Sequence, residues 1–342
     1  MTETDSPMPP QKHHVVTALG KLCLPVVAGL FGNLSPKWVT RWAKIFYALA
    51  WPFTSRLRKI ARANLAIAFP EYNNKQYNIL VKKNLQYIFE LGLDWLHFLS
   101  HPSDINRRLV LTPENDAFRR TRAADASLPP TLFCTLHLGN WELASHVSFL
   151  TGRKGAVVTA RFTVEWFNEL AAKMRTAETD TVLLPVQGAA HGMLRALKEG
   201  RDLGILIDQH VSPKKGGTFL NFFGLPVTTS LLPATIALRR GIPIMIVACH
   251  KQADGNFGMD MERLPKPTEQ YASAAELTQD ILHGYERFIR RYPEQYLWLY
   301  RYWRSIPANV PEEYLRRYPF YARQYAVHTC DAVLMGSAQP DK

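Results

Sequence analysis

Acidic residues are scarce in this 342-residue chain: 29 Asp and Glu stand against 41 Lys and Arg, a formal net charge of +12. That balance excludes an acid-rich surface and turns attention to anionic partners, whether nucleic acid, anionic lipid or an acidic protein. Cysteine is scarce as well. Cys23, Cys134, Cys249 and Cys330 form no Cys-x-x-Cys pair and no regular spacing. Neither a disulfide framework nor a zinc site is therefore expected, and a reducing setting fits. Cys134 is expected to be a small buried apolar residue. Internal repeats and low-complexity blocks are missing. No clean spanning run occurs either: Val15–Leu34 carries Lys21, Pro25 and several glycines. Its charge-free part, Leu22–Leu34, falls short of the roughly 18–20 residues a spanning helix needs.

What is present is basic charge interleaved with aromatics. Clusters at Arg56–Arg62, Arg119–Arg122, Arg239-Arg240 and Arg287–Arg304 alternate with Trp, Tyr and Leu, and no nucleic-acid fingerprint accompanies them. This suits a membrane surface, and no nucleic-acid partner is expected. Residues 1–14 are polar and read as a disordered tail. Residues 15–55 read as a membrane anchor or interfacial helices, because Trp38–Phe53 combines Trp38, Trp42, Phe46, Tyr47 and Trp51 with Arg41 and Lys44. The alternative is a buried helix pair capping the domain. Residues 56–306 form the body, and 307–342 a C-terminal extension.

The body alternates strand and helix patterns. A long helical stripe covers Lys75–Leu99. Strands are expected at Thr131–Leu136, Gly155–Ala160, Thr181–Pro185, Leu203–Asp208 and Pro243–His250, with an antiparallel edge at Asn256–Arg263. Helices are expected at Trp141–Leu150, Val164–Glu178, Ala189–Glu199 and Ser230–Arg240. The fold class is thus α/β, a mixed and largely parallel central sheet flanked by helices, preceded by the N-terminal membrane-associated segment.

The chemistry concentrates in Thr131-Leu-Phe-Cys-Thr-Leu-His-Leu-Gly-Asn-Trp-Glu142, where a strand-like run ends at an imidazole and a carboxylate follows five positions on. Eleven histidines in a chain of this acidity give about one such spacing by chance, so its setting carries the argument. On a continuous helix the two residues would lie about 140° apart and could not meet. Gly139-Asn140 supplies the bend that would bring them together. His137 then reads as a general base and Glu142 as the group that fixes its tautomer. His146 and His191 lack such a setting and read as satisfied core or surface histidines. Asp208, like His137, falls at the carboxyl end of an expected strand, where sites gather in such sheets.

The His-x4-Glu block resembles that of glycerolipid-type acyltransferases. More closely, the chain resembles the bacterial lipid A late acyltransferases, which add secondary acyl chains to lipid A precursors. The resemblance runs over roughly residues 15–306. It is carried by His137–Glu142, by Asn64-Leu65 and Phe69-Pro-Glu71, by Asp208-Gln209, by Phe222-Phe-Gly-Leu-Pro226 with Thr228-Thr229, and by Arg291–Trp298 with Arg301 and Trp303-Arg304. It implies an acyl-carrier-protein thioester as co-substrate, a lipid A precursor as acceptor, the cytoplasmic face of the inner membrane as location, and no cofactor. Asp208, Gln209 and Asn140 would organise the site. Arg175 falls near an essential arginine of the family and would hold acceptor phosphate or sugar, with Arg161 a competing candidate. The stretch His210–Gly217 and the tail beyond Pro307 depart from the pattern. Other acceptors therefore stay open, such as a phosphatidylinositol mannoside or an ornithine-type lipid. A metal hydrolase would need at least three convergent ligands, and no second ligand motif accompanies His137. A non-catalytic membrane scaffold would have no use for a base at a strand mouth.

Overall fold

In the computed structural model, residues 26–146, 151–162 and 165–325 are described. The chain enters through α1 (Pro36–Ala50), a single 3-10 turn at Trp51–Thr54, α2 (Ser55–Ala68) and α3 (Asn74–Ser100). Asn73 starts α3 with a capping box, accepting from the Gln76 backbone while the Gln76 side chain accepts from its own. Tyr77, Leu80, Val81, Asn84, Leu85 and Leu91 recur at helical spacing and turn that long helix's buried face inward. There follow α4 (Asp104–Arg108), β1 (Leu109–Leu111), α5 (Pro113–Ala124), β2 (Leu132–Gly139), β3 (Gly155–Thr159), α6 (Glu165–Thr176), β4 (Thr181–Pro185), α7 (Ala189–Lys198) and β5 (Asp202–Leu206). A hairpin of β6 (Gly217–Phe222) and β7 (Leu225–Ser230) leads to α8 (Leu232–Arg240), β8 (Ile244–Lys251), β9 (Phe257–Arg263) and α9 (Ala274–Arg291). Short β10 (Ser305–Ile306), α10 (Glu312–Leu315) and β11 (Arg323–Gln324) close the described chain.

The central sheet has the order β1-β9-β8-β2-β5-β3-β4. Strands β8, β2, β5, β3 and β4 are mutually parallel, β9 is antiparallel to β8, and β1 pairs parallel with β9. Strand β2 is a nearly continuous apolar run because both of its faces are covered. Leu132, Cys134, Leu136 and Leu138 enter the larger core with Ile246, Tyr285 and Trp298. Phe133 enters the opposite one with Met245, Val247 and Cys249. The α/β class and the largely parallel sheet expected from the sequence are thus what the chain forms.

Several boundaries move. Strand β2 runs on to Gly139, so His137 lies inside it rather than after it. The helix expected at Trp141–Leu150 is a turn followed by a 3-10 turn at Leu143–Ser145, and residues 147–150 lie outside the described ones. Elements α2, α5, α9 and the β6–β7 hairpin are absent from the sequence expectations. The hairpin hides because its turn is Phe223-Gly224, both at positive φ (53° and 67°). Asn-Gly or Asp-Gly is the usual signal for that geometry. The strain at Phe223 is offset by burial and by its backbone N–H, which donates to Glu286 Oε1 at 2.6 Å.

Near the N-terminus, Val39 and Ala43 of α1 pack against Leu93 of α3. Trp38, Ile45, Leu49, Trp51 and Phe53 stay exposed, Phe53 at 86%. No helix among the described residues is long and apolar enough to cross a membrane. Most of Val15–Leu34 and all of 1–14 lie outside the described residues.

Candidate active site

The end of β2 is built around a turn that only glycine permits. Gly139 has φ of 62°, and a Cβ there would fall 1.6 Å from the Cys249 carbonyl oxygen. The Asn140 N–H then donates to that same oxygen at 2.9 Å, locking the turn to β8. Two residues back, His137 is half-buried. Because β2 and β5 run parallel in the register Thr135↔Leu206, residues 137 and 208 arrive side by side. Asp208 accepts from the His137 backbone N–H at 2.9 Å and faces its Nδ1 at 2.7 Å. The Tyr296 hydroxyl donates to the same carboxylate at 3.2 Å. Burial, and then Tyr302 and Asp208 beside it, hold the Tyr296 phenol well above its ordinary pKa, so it stays a donor. A carboxylate receiving these donors places the imidazole proton on Nδ1. Nε2 is left as the basic nitrogen, 3.1 Å from the Gln209 amide nitrogen.

Glu142 is placed differently from the sequence expectation. It does not take the position against Nδ1; Asp208 does. Both Glu142 oxygens instead receive the Arg175 guanidinium, Nε to Oε2 at 2.5 Å and Nη2 to Oε1 at 2.9 Å, in a buried fork-to-fork pair. Arg175, expected to meet acceptor phosphate, is therefore engaged with Glu142, and its Cζ lies 5.5 Å from the Phe162 ring centroid. The reason is geometric: α6 returns over the turn after β2 and delivers Arg175 to Glu142 from 33 residues away. Arg161 sits exposed just past β3. Asn140 is fully buried, its Oδ1 accepting from Trp95 Nε1 at 3.3 Å. The Trp141 ring lies 5.1 Å from that of His137. His146 is buried, with Nε2 donating to the Met174 carbonyl at 3.0 Å, whereas His191 is exposed.

Sequence reasoning missed Tyr296 as a site residue, although it lies in the Arg291–Trp298 block that carries the family resemblance. That block closes over the site. Leu297 N–H donates to the His137 carbonyl at 3.0 Å, and Leu138 bridges Tyr296. Two buried asparagines hold the block from behind. Asn64 on α2 donates to the Trp298 and Tyr300 carbonyls at 2.7 Å each; Asn84 on α3 donates to those of Glu294 (2.9 Å) and Tyr296 (2.6 Å). Trp95 was missed as well, being one of many apolar positions along α3.

His137 opens onto a cavity of about 760 Å³ that also reaches Trp141, Glu142, Arg175 and Gln209. Its walls are largely apolar, with Phe133, Val157, Leu206, Ile207, Leu232 and Val247 among them, while Arg161 and Lys215 stand where it meets solvent. The cavity opens because β3 and β5 part. Their pairing ends at Val157↔Gly204, whereas β3 stays with β4 to Thr159↔Pro185 and β5 with β2 to Thr135↔Leu206. His210 also lines it, with Nε2 2.9 Å from the Ser305 hydroxyl; burial, and then Arg304, push its pKa down to about 4. Burial pushes the Cys134 and Cys249 thiols up, which removes both as nucleophiles at neutral pH. Among the described residues no group of three or more His, Cys, Asp and Glu side chains could hold a metal ion.

An imidazole held by a carboxylate at the carboxyl ends of parallel strands, opening onto a cavity with apolar walls, stands where the sheets of α/β enzymes keep their sites. The comparisons with known proteins specify the family. The model of the bacterial lipid A biosynthesis acyltransferase family matches residues 15–305, and this chain belongs to that family of acyl-transferring enzymes. It is similar to the lipid A biosynthesis palmitoleoyltransferase of Escherichia coli (strain K12), at 24% identity over 279 residues, covering 78% of this chain and 85% of that protein. The lipid A biosynthesis acyltransferase of Shigella flexneri matches over the same span at the same identity. The lipid A biosynthesis lauroyltransferase of Escherichia coli (strain K12) is 24% identical over 272 residues, covering 78% of this chain and 85% of that protein.

Proposed function

We propose that this chain transfers a fatty acyl group from an acyl-carrier-protein thioester to a hydroxyl of a lipid A precursor. His137 is the base and Asp208 the group that orients it. The observation that carries this reading is the imidazole itself: Nδ1 is held at 2.7 Å by Asp208, and Nε2 faces a cavity with apolar walls. The acceptor hydroxyl displaces the Gln209 amide at Nε2 and gives up its proton there as its oxygen attacks the thioester carbon. The Asp208 carboxylate stabilises the imidazolium that forms. The Gln209 amide, the donor nearest the reacting atoms, turns to the developing oxyanion. Collapse of the tetrahedral intermediate breaks the carbon–sulfur bond, and the departing thiolate takes the proton back from Nε2. The products are an ester and the carrier thiol, with no cofactor and no acyl-enzyme required. Glu142 and Arg175 hold α6 against the turn after β2 and so fix one wall of the cavity. Arg161 and Lys215 meet the acceptor's phosphates at the rim.

The reaction belongs at the cytoplasmic face of the inner membrane. Support comes from the exposed Trp38, Leu49, Trp51 and Phe53, and from the neighbouring Arg58, Lys59, Arg62 and Lys82. Apolar side chains backed by cations suit a helix lying at an anionic bilayer surface.

The test is acyl transfer by purified protein from acyl-carrier-protein thioesters to a lipid A precursor, read by mass spectrometry. Cells with and without the gene are compared for lipid A in parallel. A precursor heavier by one acyl chain, lost in His137→Ala, is the expected result. Transfer that survives His137→Ala, or a missing acyl group on a different lipid, overturns the mechanism or the acceptor respectively.

A further inference from the structure

One residue lining the cavity at His137 has no side chain. In parallel pairing, residues opposite one another project to the same sheet face. Phe133 on β2 is opposite Met245 on β8 and Gly204 on β5, and Gly204 is opposite Val157 on β3. These four residues form one row across the sheet. Two residues nearer the strand ends comes the row Val247, Thr135 and Leu206. Beyond it, at the mouth and on the same face, stand His137 and Asp208. Phe133, Val157, Gly204 and Val247 all line the cavity into which His137 opens. The row farthest from His137 therefore consists of three bulky side chains and a glycine.

The position has no backbone need for glycine. Gly204 lies in an extended strand, is not among the residues at positive φ, and is bracketed by the apolar Leu203 and Ile205. Glycine inside a central strand weakens it and commonly marks a place where a ligand comes close to the backbone. Its register is also the last at which β3 and β5 remain paired, so it sits where the cleft between them closes.

We propose that Gly204 sets the length of acyl chain this enzyme accepts, the chain's methyl end lying against its backbone. This rests on the reading that the cavity at His137 holds the donor's acyl group. From His137 back to Phe133 is four strand residues, about 13 Å at the rise of a parallel strand. A zigzag chain built from carbon–carbon bonds of about 1.5 Å covers that distance with on the order of ten carbons. A side chain at 204 projects toward the same face as His137 and fills the end of that path.

The experiment measures kcat/KM for a series of saturated acyl-carrier-protein thioesters, two carbons apart, with wild type, Gly204→Ala and Gly204→Leu. Gly204→Ala is compatible with a strand and guards against a failure of Gly204→Leu to fold, which thermal melting reports. The wild-type optimum is expected to move to shorter donors, modestly in Gly204→Ala and further in Gly204→Leu. The longest good donor should lose on the order of tenfold for each carbon that no longer fits, so the loss grows with donor length. An unchanged chain-length profile in folded Gly204→Ala and Gly204→Leu overturns the assignment of Gly204 and leaves acyl transfer standing. No transfer by wild type from any donor overturns the underlying reading instead.

Discussion

Replacing Asp208 by Asn separates the two carboxylates of the site. Asp208 is 4% exposed and almost isosteric with Asn, so the fold should survive. The oxygen count is what changes. Asp208 accepts from His137 N–H, faces His137 Nδ1 and accepts from Tyr296. An asparagine has one oxygen and one NH2 to offer them. If the NH2 faces the His137 backbone N–H, two donors collide in a buried place. If it faces Nδ1, the ring proton moves to Nε2 and the base is gone. Either arrangement also removes the charge that stabilises the imidazolium. Loss of such an orienting charge is worth on the order of 10³- to 10⁴-fold in kcat/KM, about 4–5 kcal/mol of barrier. Tyr296→Phe, which deletes one 3.2 Å hydrogen bond to the same carboxylate, should cost about tenfold. Glu142→Gln should cost less than Asp208→Asn in the folded fraction, because Glu142 answers Arg175 rather than the ring. The assay is steady-state transfer from an acyl-carrier-protein thioester, with thermal melting of each variant as control. Near-normal turnover in Asp208→Asn together with an inactive, well-folded Glu142→Gln would refute the reasoning and return the orienting role to Glu142.

Three further outcomes follow from the geometry. Arg175→Ala leaves Glu142 buried without its guanidinium and should lower stability by about 3–5 kcal/mol; the double change Glu142→Leu/Arg175→Met should recover much of this in chemical denaturation, and an unaltered midpoint in Arg175→Ala would exclude a structural pair. Gly139→Ala puts a Cβ into the Cys249 carbonyl, so soluble yield and activity should both collapse, and a folded, active Gly139→Ala would disprove the turn. His146 has its pKa lowered by burial to about 4 from 6.5. The folded protein keeps it neutral, so its contribution is intact above pH 6.5 and falls as the unfolded chain takes up a proton, levelling near pH 4. That loss is on the order of 3 kcal/mol; His146→Gln should flatten this part of the stability–pH curve, and an unchanged slope would assign it elsewhere.

Much of the frame was legible in the sequence because its signals are local. Thr181–Pro185 matches β4 residue for residue, and Lys75–Leu99 matches α3 to within one residue at each end. The antiparallel edge at Asn256–Arg263 is β9, one residue shorter. Such elements announce themselves by periodicity and by flanking Gly, Pro or capping residues. The β6–β7 hairpin did not, since Phe223 occupies a turn position where sequence offers no warning. Helix α9 carries a clear amphipathic stripe (Leu277, Ile281, Leu282, Tyr285, Phe288, Ile289), a local signal of the same kind.

For the site the division is sharper. The sequence by itself determined that a histidine would stand near the end of a central strand, that glycine would turn the chain after it, and that Asp208 would fall at the end of another strand. Only the tertiary structure decided which carboxylate meets the imidazole. Glu142 is five residues from His137 and Asp208 is 71, yet the nearer one is drawn away by Arg175 and the distant one arrives through the β2–β5 register. It also decided that Tyr296, held by Asn64 and Asn84 through their grip on its segment, completes the triad of contacts on Asp208. The physical reason is the same in each case. Pattern along a chain fixes which element forms and which face it buries, but contacts between side chains tens of residues apart depend on strand order and register. Those are settled by the packing of the whole sheet, which no local stretch encodes.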